Sequence, residues 1–163
     1  MSFADSYLGR LRAAMGSVPL ISVGIRVLVD DGAGRFLLIR RADNGLWGVI
    51  GGSMELGESL SDAAHREARE EANAMLRDLT PFGLSSDPEI ERYTYPNGDR
   101  VQSVSLMFHA HLVPGDLRPV DGEATELRFV APDDIDLETM VAPERPIFAA
   151  YARFRATGEF QLI

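Results

Sequence analysis

Apolar and polar residues alternate near the start of the chain, which is the period of a β-strand. The alternation begins at Val23 and runs to Val29. A turn rich in Asp and Gly, over residues 30–34, separates it from an apolar segment over 35–40 that predicts a returning strand. The short segment 46–50 follows and leads directly into a pair of glycines. The first third of the chain therefore predicts paired strands.

A helix is predicted next. Ser59, with Asp62 three residues later, is typical of a helix N-cap. The helical pattern runs through about Met75, and Pro81 and Gly83 are expected to end the region.

Strand patterns return in the second half of the chain. Residues 90–95 and 100–112 are strand-like, and the Asn97-Gly98 pair between them, within 96–99, predicts a hairpin. Three further elements are predicted: a helix over 5–15, a strand over 127–130 and a helix over 146–155. Strands that flank a central helix favour a mixed sheet packed by helices.

The chain has 163 residues, a length that predicts one domain with a proper core over 1–163. Within it we distinguish an N-terminal segment over 1–18 and a C-terminal helix over 146–163. These two parts are the candidates for a homodimer contact.

Composition narrows the function classes. The net charge of −9 argues against nucleic acid and anionic membranes as partners. The absence of cysteine excludes disulfides, thiolate metal sites and cysteine nucleophiles. We expect a cytoplasmic protein, because the first residues do not have the pattern of a signal peptide.

The acidic residues concentrate in one stretch. Three of them, Glu67, Glu70 and Glu71, are spaced so that they share one helical face. Clustered like charges repel, so the fold has to compensate them. Arg66 supplies part of that compensation, and a divalent cation such as Mg²⁺, which takes oxygen ligands, would supply more. The alternative is a solvated acidic face held by weak ion pairs.

The spacing around these glutamates separates the two interpretations. The sequence reads Gly52-x5-Glu58-x7-Arg66-Glu67-Ala68-x-Glu70-Glu71. It resembles the Nudix box, G-x5-E-x7-R-E-U-x-E-E-x-G-U, where U is a bulky apolar residue, and the box covers residues 52–74 here. Segments on both sides also resemble the family, so the likeness extends over residues 20–140.

The box departs from the family pattern at a few positions. Asn73 stands where the pattern has its second glycine, and asparagine tolerates the left-handed conformation that ends a helix. Ala68 and Ala74 are small where bulkier residues are usual, and Ile50 replaces a common proline. None of these changes removes a carboxylate.

The resemblance implies a fold and a chemistry. The fold is an α/β/α sandwich with a mixed central sheet. The activity is Mg²⁺-dependent hydrolysis of a pyrophosphate bond in a nucleoside diphosphate linked to another group X, with Mn²⁺ as a substitute cation. The implied metal ligands are Glu67, Glu70, Glu71 and the Gly52 carbonyl. A polyanionic substrate needs such cations in an acidic protein.

Two other interpretations of the function stay open. The chain is alternatively a Nudix-like module that senses a nucleotide without cleaving it, or an interaction protein with an acidic helix. Within the enzyme reading, Arg66 orients the neighbouring glutamates. The general base is Glu70 or Glu71, with Glu123 next, although a solvated acidic loop also explains Glu123.

Substrate-binding residues are predicted near the box. Arg40 and Arg41 are candidates for phosphate contacts, and Trp47 and Tyr95 for stacking on a base or sugar. Large aromatic residues beside strands are more often part of the core. The expected partner is a small nucleotide-derived molecule, and the sequence leaves the nucleotide and the group X open.

Two histidines alternate on one strand. His109 and His111 flank Ala110, so their side chains share one face of the sheet. We expect a structural role for both, because no carboxylate or cysteine lies near them in the sequence.

Overall fold

The computed structural model describes residues 3–95 and 97–163. The strands are β1 (Leu20–Asp30), β2 (Phe36–Arg41), β3 (Trp47–Gly48), β4 (Ile50–Ser53), β5 (Met75–Ser85), β6 (Arg92–Thr94), β7 (Arg100–Val113), β8 (Ala124–Val130) and β9 (Gln161–Leu162). The α-helices are α1 (Tyr7–Met15), α2 (Leu60–Ala72), α3 (Pro88–Glu91) and α4 (Pro146–Thr157). Short 3₁₀ turns lie at Phe3–Asp5, Pro132–Asp134, Leu137–Thr139 and Ala142–Glu144.

The strands form one mixed sheet. Its central path runs β3-β2-β1-β7-β5-β9, while β4 pairs with β1, β6 with β7 and β8 with β2. The long strands β1 and β7 run parallel over the whole length of β1, and β5 is antiparallel to β7.

Apolar side chains form a separate core on each face of this sheet. On one face, Ala64 and Ala68 of α2 pack with Ile25 and Phe108 of the strands. On the other face, Ile147 of α4 belongs to a second buried cluster with the strand residues Leu28 and Met107. The helices α2 and α4 therefore lie on opposite faces, and the predicted α/β/α sandwich with a mixed central sheet is confirmed.

The hairpin prediction is also confirmed. Strands β6 and β7 pair antiparallel with Thr94 opposite Arg100, and Gly98 adopts a positive φ of 87° between them. A hairpin turn with a positive φ favours glycine because it has no Cβ. Pro96 of the predicted loop and residues 1 and 2 of the N-terminal segment lie outside the described residues.

Three boundary predictions are wrong. The helix α2 ends at Ala72, so the strand β5 occupies 75–85, where no strand was predicted. Residues 88–91 form the short helix α3, so the strand predicted from Ile90 begins only at Arg92. The C-terminal helix does not reach 163, because it ends at Thr157 and the chain then forms β9.

The strand β5 accommodates a proline because its pairing is irregular there. The register between β5 and β7 shifts between Pro81 and Gly83, which indicates a bulge. Proline cannot donate a backbone hydrogen bond, so within a sheet it is confined to edges and bulges.

None of the helices in residues 3–95 and 97–163 combines the length and the apolar character that a bilayer span requires.

Candidate active site

The helix α2 is fixed at both ends by its own sequence. Ser59 accepts a hydrogen bond from the Asp62 N–H, and the Asp62 carboxylate accepts one from the Ser59 N–H, which forms a capping box. At the other end, Asn73 adopts the left-handed conformation with a φ of 50°. The left-handed conformation expected of Asn73 is therefore present, and the helix holds the glutamates of the box in a defined orientation.

Arg66 is the centre of an ionic network on this helix. Its guanidinium donates to Glu58 at 2.7 and 3.0 Å, to Glu67 at 2.7 Å and to Glu70 at 3.1 Å. It also donates to the carbonyl oxygen of Ser53 on β4 at 2.9 Å. The surrounding carboxylates raise the pKa of Arg66, so it stays charged. The arrangement orients Glu67 and Glu70, and ties α2 to β4.

Glu67 lies against a glycine. A Cβ at Gly52 would stand only 2.0 Å from the Glu67 Oε1 atom, so this carboxylate occupies space that any other residue would fill. The Gly52 carbonyl oxygen lies against β1, 2.3 Å from where a Cβ on Gly24 would stand. The Glu67 carboxylate therefore favours glycine at position 52, and the Gly52 carbonyl favours glycine at position 24. The role of this carbonyl as a metal ligand stays a prediction.

The same carboxyl has a perturbed pKa. Burial raises the pKa of Glu67 to about 7; Arg66 opposes the rise, and Glu70 and Glu123 add to it. Burial and the like charges around it therefore favour the protonated form of Glu67.

Glu71 is the most buried of the box carboxylates, with 3% of its surface exposed. It accepts a hydrogen bond from the Gly51 N–H at 3.1 Å. Burial first, and the nearby Glu67 second, raise the pKa of the Glu71 carboxyl well above its usual range. A buried carboxyl with like charges beside it is typical of a site that a cation completes.

These side chains line a cavity of about 580 Å³. Among the described residues, its lining includes eight acidic side chains and only three arginines. The predicted site residues that it brings together are Arg41, Gly52, Arg66, Glu67, Glu70, Glu71, Tyr95 and Glu123. The charge balance means that a polyphosphate would be repelled here unless cations were bound.

Glu123 lines the same cavity as the box glutamates. It is close enough to Glu67 and Glu70 for their charges to influence one another. Partial burial and then Asp121 raise the pKa of Glu123, while Arg41 opposes the rise. Glu123 is thus part of the acidic cluster although it is distant in sequence.

Two predicted substrate contacts lie elsewhere. Arg40 is exposed, donates to the Gly45 carbonyl at 3.2 Å and approaches Glu126 at 3.5 Å. Trp47 packs against the core under α4, with the Arg128 guanidinium 4.7 Å from its ring centroid. Neither belongs to the cavity lining, so the structure does not bring them together with the glutamates.

The N-terminal helix is a part of the site that the sequence did not reveal. Phe3, Leu8 and Arg12 line the cavity. The helix is held there by Glu55, whose two carboxylate oxygens accept from the Tyr7 N–H at 2.8 and 2.9 Å. No local pattern signals this contact, because it joins residues 48 positions apart.

A second acid that the sequence did not reveal supports the segment just before the glycine pair. Glu144 accepts from the Val49 N–H at 2.7 Å, and its Oε2 atom would stand 2.7 Å from a Cβ on Gly48. Burial raises the pKa of Glu144, and its charge also raises that of Glu71. It lies in a 3₁₀ turn far along the chain, where an isolated glutamate carries no sequence signal.

Comparisons with known proteins place this site in a family. The model of the NUDIX domain matches residues 20–151. The nucleoside triphosphatase NudI of Salmonella paratyphi B is 30% identical over 118 residues, which is 68% of this chain and 82% of that protein.

Solved structures agree with this match. A NUDIX hydrolase from Nitrosomonas europaea is 27% identical with a TM-score of 0.68, covering 86% of this chain and 76% of its own. A MutT NUDIX hydrolase from Burkholderia pseudomallei is 25% identical with a TM-score of 0.64, covering 80% and 97%. The chain therefore belongs to the Nudix hydrolase family.

Proposed function

We propose that the chain hydrolyses a pyrophosphate bond in a nucleoside diphosphate linked to a group X, and that Glu67, Glu70 and Glu71 hold the Mg²⁺ this requires. One observation carries the proposal. Three carboxylates of a single helix turn line one cavity, and those of Glu67 and Glu71 have raised pKa values. A hydrolase of acid anhydrides needs such a concentration of oxygen ligands.

The donor set suits a hard divalent cation. The box offers carboxylate oxygens, which are the ligands that Mg²⁺ prefers and that Mn²⁺ also accepts. Mg²⁺, when bound, would neutralise charge on the phosphates and lower the pKa of a coordinated water. The raised pKa values of Glu67 and Glu71 fit this use, because burial and the neighbouring carboxylates disfavour their ionised forms, which a bound cation would favour.

Other residues position these ligands. Arg66 fixes Glu67 and Glu70 by direct hydrogen bonds. Glu58 holds Arg66 in turn, and also accepts from the Glu55 N–H at 2.7 Å. Charge-assisted bonds of this kind give both strength and direction.

We assign proton transfer from the attacking water to Glu70, with Glu123 as the second candidate. The Glu70 side chain is 29% exposed, whereas Glu71 is almost fully buried and already accepts from the Gly51 N–H. A general base has to reach a water molecule beside the substrate, which favours the more exposed carboxylate. Glu123 lines the same cavity and has a raised pKa, so it too suits a proton acceptor.

The lining of the cavity also includes the proposed substrate contacts. Arg41 is held by Asp43 at 2.9 and 3.0 Å, and Tyr95 packs edge-to-face on Tyr93 with ring centroids 5.0 Å apart. We propose Arg41 as a contact for a phosphate and Tyr95 as a contact for a base or sugar. Nucleoside triphosphates, in which X is phosphate, are the first substrates to test, because the similar NudI is named a nucleoside triphosphatase.

The test is a substrate panel. EDTA-treated protein is incubated with nucleoside triphosphates, ADP-ribose, sugar nucleotides, CDP-alcohols and dinucleoside polyphosphates, and the products are assayed with and without Mg²⁺ or Mn²⁺. We expect turnover of at least one compound, abolished by EDTA. Glu70→Gln and Glu71→Gln should each reduce the rate by about two orders of magnitude or more.

A matched control separates chemistry from general charge loss. Glu138 is an exposed carboxylate, 87% accessible and outside the cavity lining, so Glu138→Gln should retain full activity. Nucleotide-induced stabilisation without turnover would favour the sensor module instead. Turnover that is indifferent to EDTA and to the box variants would contradict the site assignment.

A further inference from the structure

A second cluster of potential metal ligands lies at the end of β1. Asp30 is the last residue of β1 and stands opposite His111 of β7 in the parallel register, while His109 lies two residues earlier on β7. Strand alternation places the three side chains on one face of the sheet. It is the face covered by α4, because the His109 ring stacks on Tyr151 of that helix with centroids 4.8 Å apart.

The donor atoms of the three residues converge. One donor atom from each lies within 4.8 Å of the others, and His109 Nε2 is 3.8 Å from Asp30 Oδ2. The other Asp30 oxygen, Oδ1, accepts from the Gly32 N–H at 2.6 Å in the following turn. The turn thereby fixes the carboxylate with Oδ2 directed at the imidazole. Asp30, from the neighbouring strand, is thus a carboxylate near these histidines that the sequence around them does not reveal.

Two imidazole nitrogens in this cluster lack hydrogen-bond partners. Within the described part of the chain, His109 Nε2 and His111 Nδ1 are buried and unpaired. His109 as a whole is 8% exposed. Buried polar atoms are nearly always satisfied, and an exception calls for an explanation such as an ion that completes the site.

The chemistry of the set selects the cation. Two imidazoles with one carboxylate suit Zn²⁺ and neighbouring transition ions, whereas Mg²⁺ prefers all-oxygen sites. Zinc bonds of about 2.0–2.2 Å in a tetrahedron place ligand atoms roughly 3.3 Å apart. The His109 and Asp30 atoms, 3.8 Å apart, would therefore have to approach by about half an ångström, and a pair at the 4.8 Å limit of the set by about 1.5 Å, which side-chain rotations of the two imidazoles provide.

We propose that Asp30, His109 and His111 form a Zn²⁺ site on the α4 face of the sheet, separate from the box carboxylates. Three protein ligands leave a fourth position for water. His111 is only half-buried, so it leaves an approach from solvent. The site joins the C-terminal ends of β1 and β7, so bound Zn²⁺ stabilises the native chain by mass action.

The affinity test uses the whole protein after EDTA treatment and dialysis. Zn²⁺ is titrated against a chromophoric chelator in the presence of excess Mg²⁺, which keeps the box carboxylates occupied. We expect one Zn²⁺ per chain. Loss of an outer-sphere partner already costs about 10–100-fold in affinity, so His109→Gln or His111→Gln should cost at least about 100-fold.

His65→Gln is the matched control, because His65 lies on α2 and outside the cluster. It should bind Zn²⁺ as the wild type does. Equal affinity in the His109 and His111 variants would overturn the proposal.

A spectroscopic measurement needs no variant and so does not depend on whether the variants fold. X-ray absorption at the zinc edge of the loaded wild-type protein should show outer-shell scattering from two imidazoles. A shell of oxygen ligands alone would overturn the proposal. The outcome is independent of nucleotide hydrolysis, which concerns the opposite face of the sheet.

Discussion

Replacing Glu67 with glutamine should stabilise the metal-free protein at alkaline pH. The Glu67 carboxyl has a pKa of about 7 in the folded chain against an ordinary value of 4.5. Because the folded pKa is raised, the stability it contributes is present below pH 4.5 and is lost as the pH rises through 7. At 1.36 kcal/mol for each pKa unit, the loss reaches about 3 kcal/mol at pH 8.

Solvent screening should reduce this free energy only slightly, because the Glu67 side chain is only 13% exposed. Glutamine resembles the protonated carboxyl and does not ionise. In EDTA, Glu67→Gln should therefore exceed the wild type in free energy of unfolding by about 3 kcal/mol at pH 8 and by about 1 kcal/mol at pH 5.

Urea unfolding at the two pH values measures the difference directly. Constant effects of the substitution, such as the weakened bond to Arg66, cancel when the two values are subtracted. The added removal of charge beside Glu71 acts in the same direction, since Glu67 raises the pKa of that carboxyl. Parallel pH dependences for the variant and the wild type would refute the reasoning.

Two further predictions concern geometry and capping. Gly52→Ala would place a Cβ 2.0 Å from the Glu67 carboxylate and should lower activity at least about tenfold. Gly115→Ala is the control and should keep its activity, because the nearest atom to its Cβ is 3.8 Å away. Equal activities in the two variants would contradict the contact between Gly52 and Glu67. Ser59→Ala removes the N-cap of α2 and should lower the free energy of unfolding in urea by about 1 kcal/mol. Ser61→Ala, within the first turn of the helix, should lower it only slightly. Equal losses in the two variants would contradict the assignment of Ser59 as the N-cap.

The parts of the site that local sequence determines were predictable. The capping pair Ser59 and Asp62 marked the start of α2, and the spacing of the box glutamates placed three carboxylates on one helical face. The Asn-Gly turn marked the hairpin between β6 and β7. In each case the physical cause acts within a few residues, so the pattern is visible in the chain itself.

The missed elements depend on long-range contacts. Strand β5 contains Pro81 and Gly83, which argue against a strand until the bulge against β7 is known. Phe3 and Leu8 line the cavity because the Glu55 carboxylate accepts a hydrogen bond from the Tyr7 N–H at the start of α1. Such pairings are set by tertiary packing, which sequence periodicity does not report.

The cluster of Asp30, His109 and His111 could not be predicted from the sequence for a related reason. Asp30 is distant from His109 in sequence, and only the parallel pairing of β1 with β7 brings them together. Parallel neighbours are joined by long connections, so their side-chain contacts leave no local signal.

The most direct test of the central claim, that the box glutamates form a divalent cation site, is Mn²⁺ binding followed by electron paramagnetic resonance. The wild-type protein and Glu138→Gln should bind Mn²⁺ equally. Glu70→Gln and Glu71→Gln should each weaken binding by about tenfold or more, because each removes a carboxylate from the oxygen ligand set. Unchanged Mn²⁺ affinity in both box variants would contradict the assignment of the cation to these glutamates.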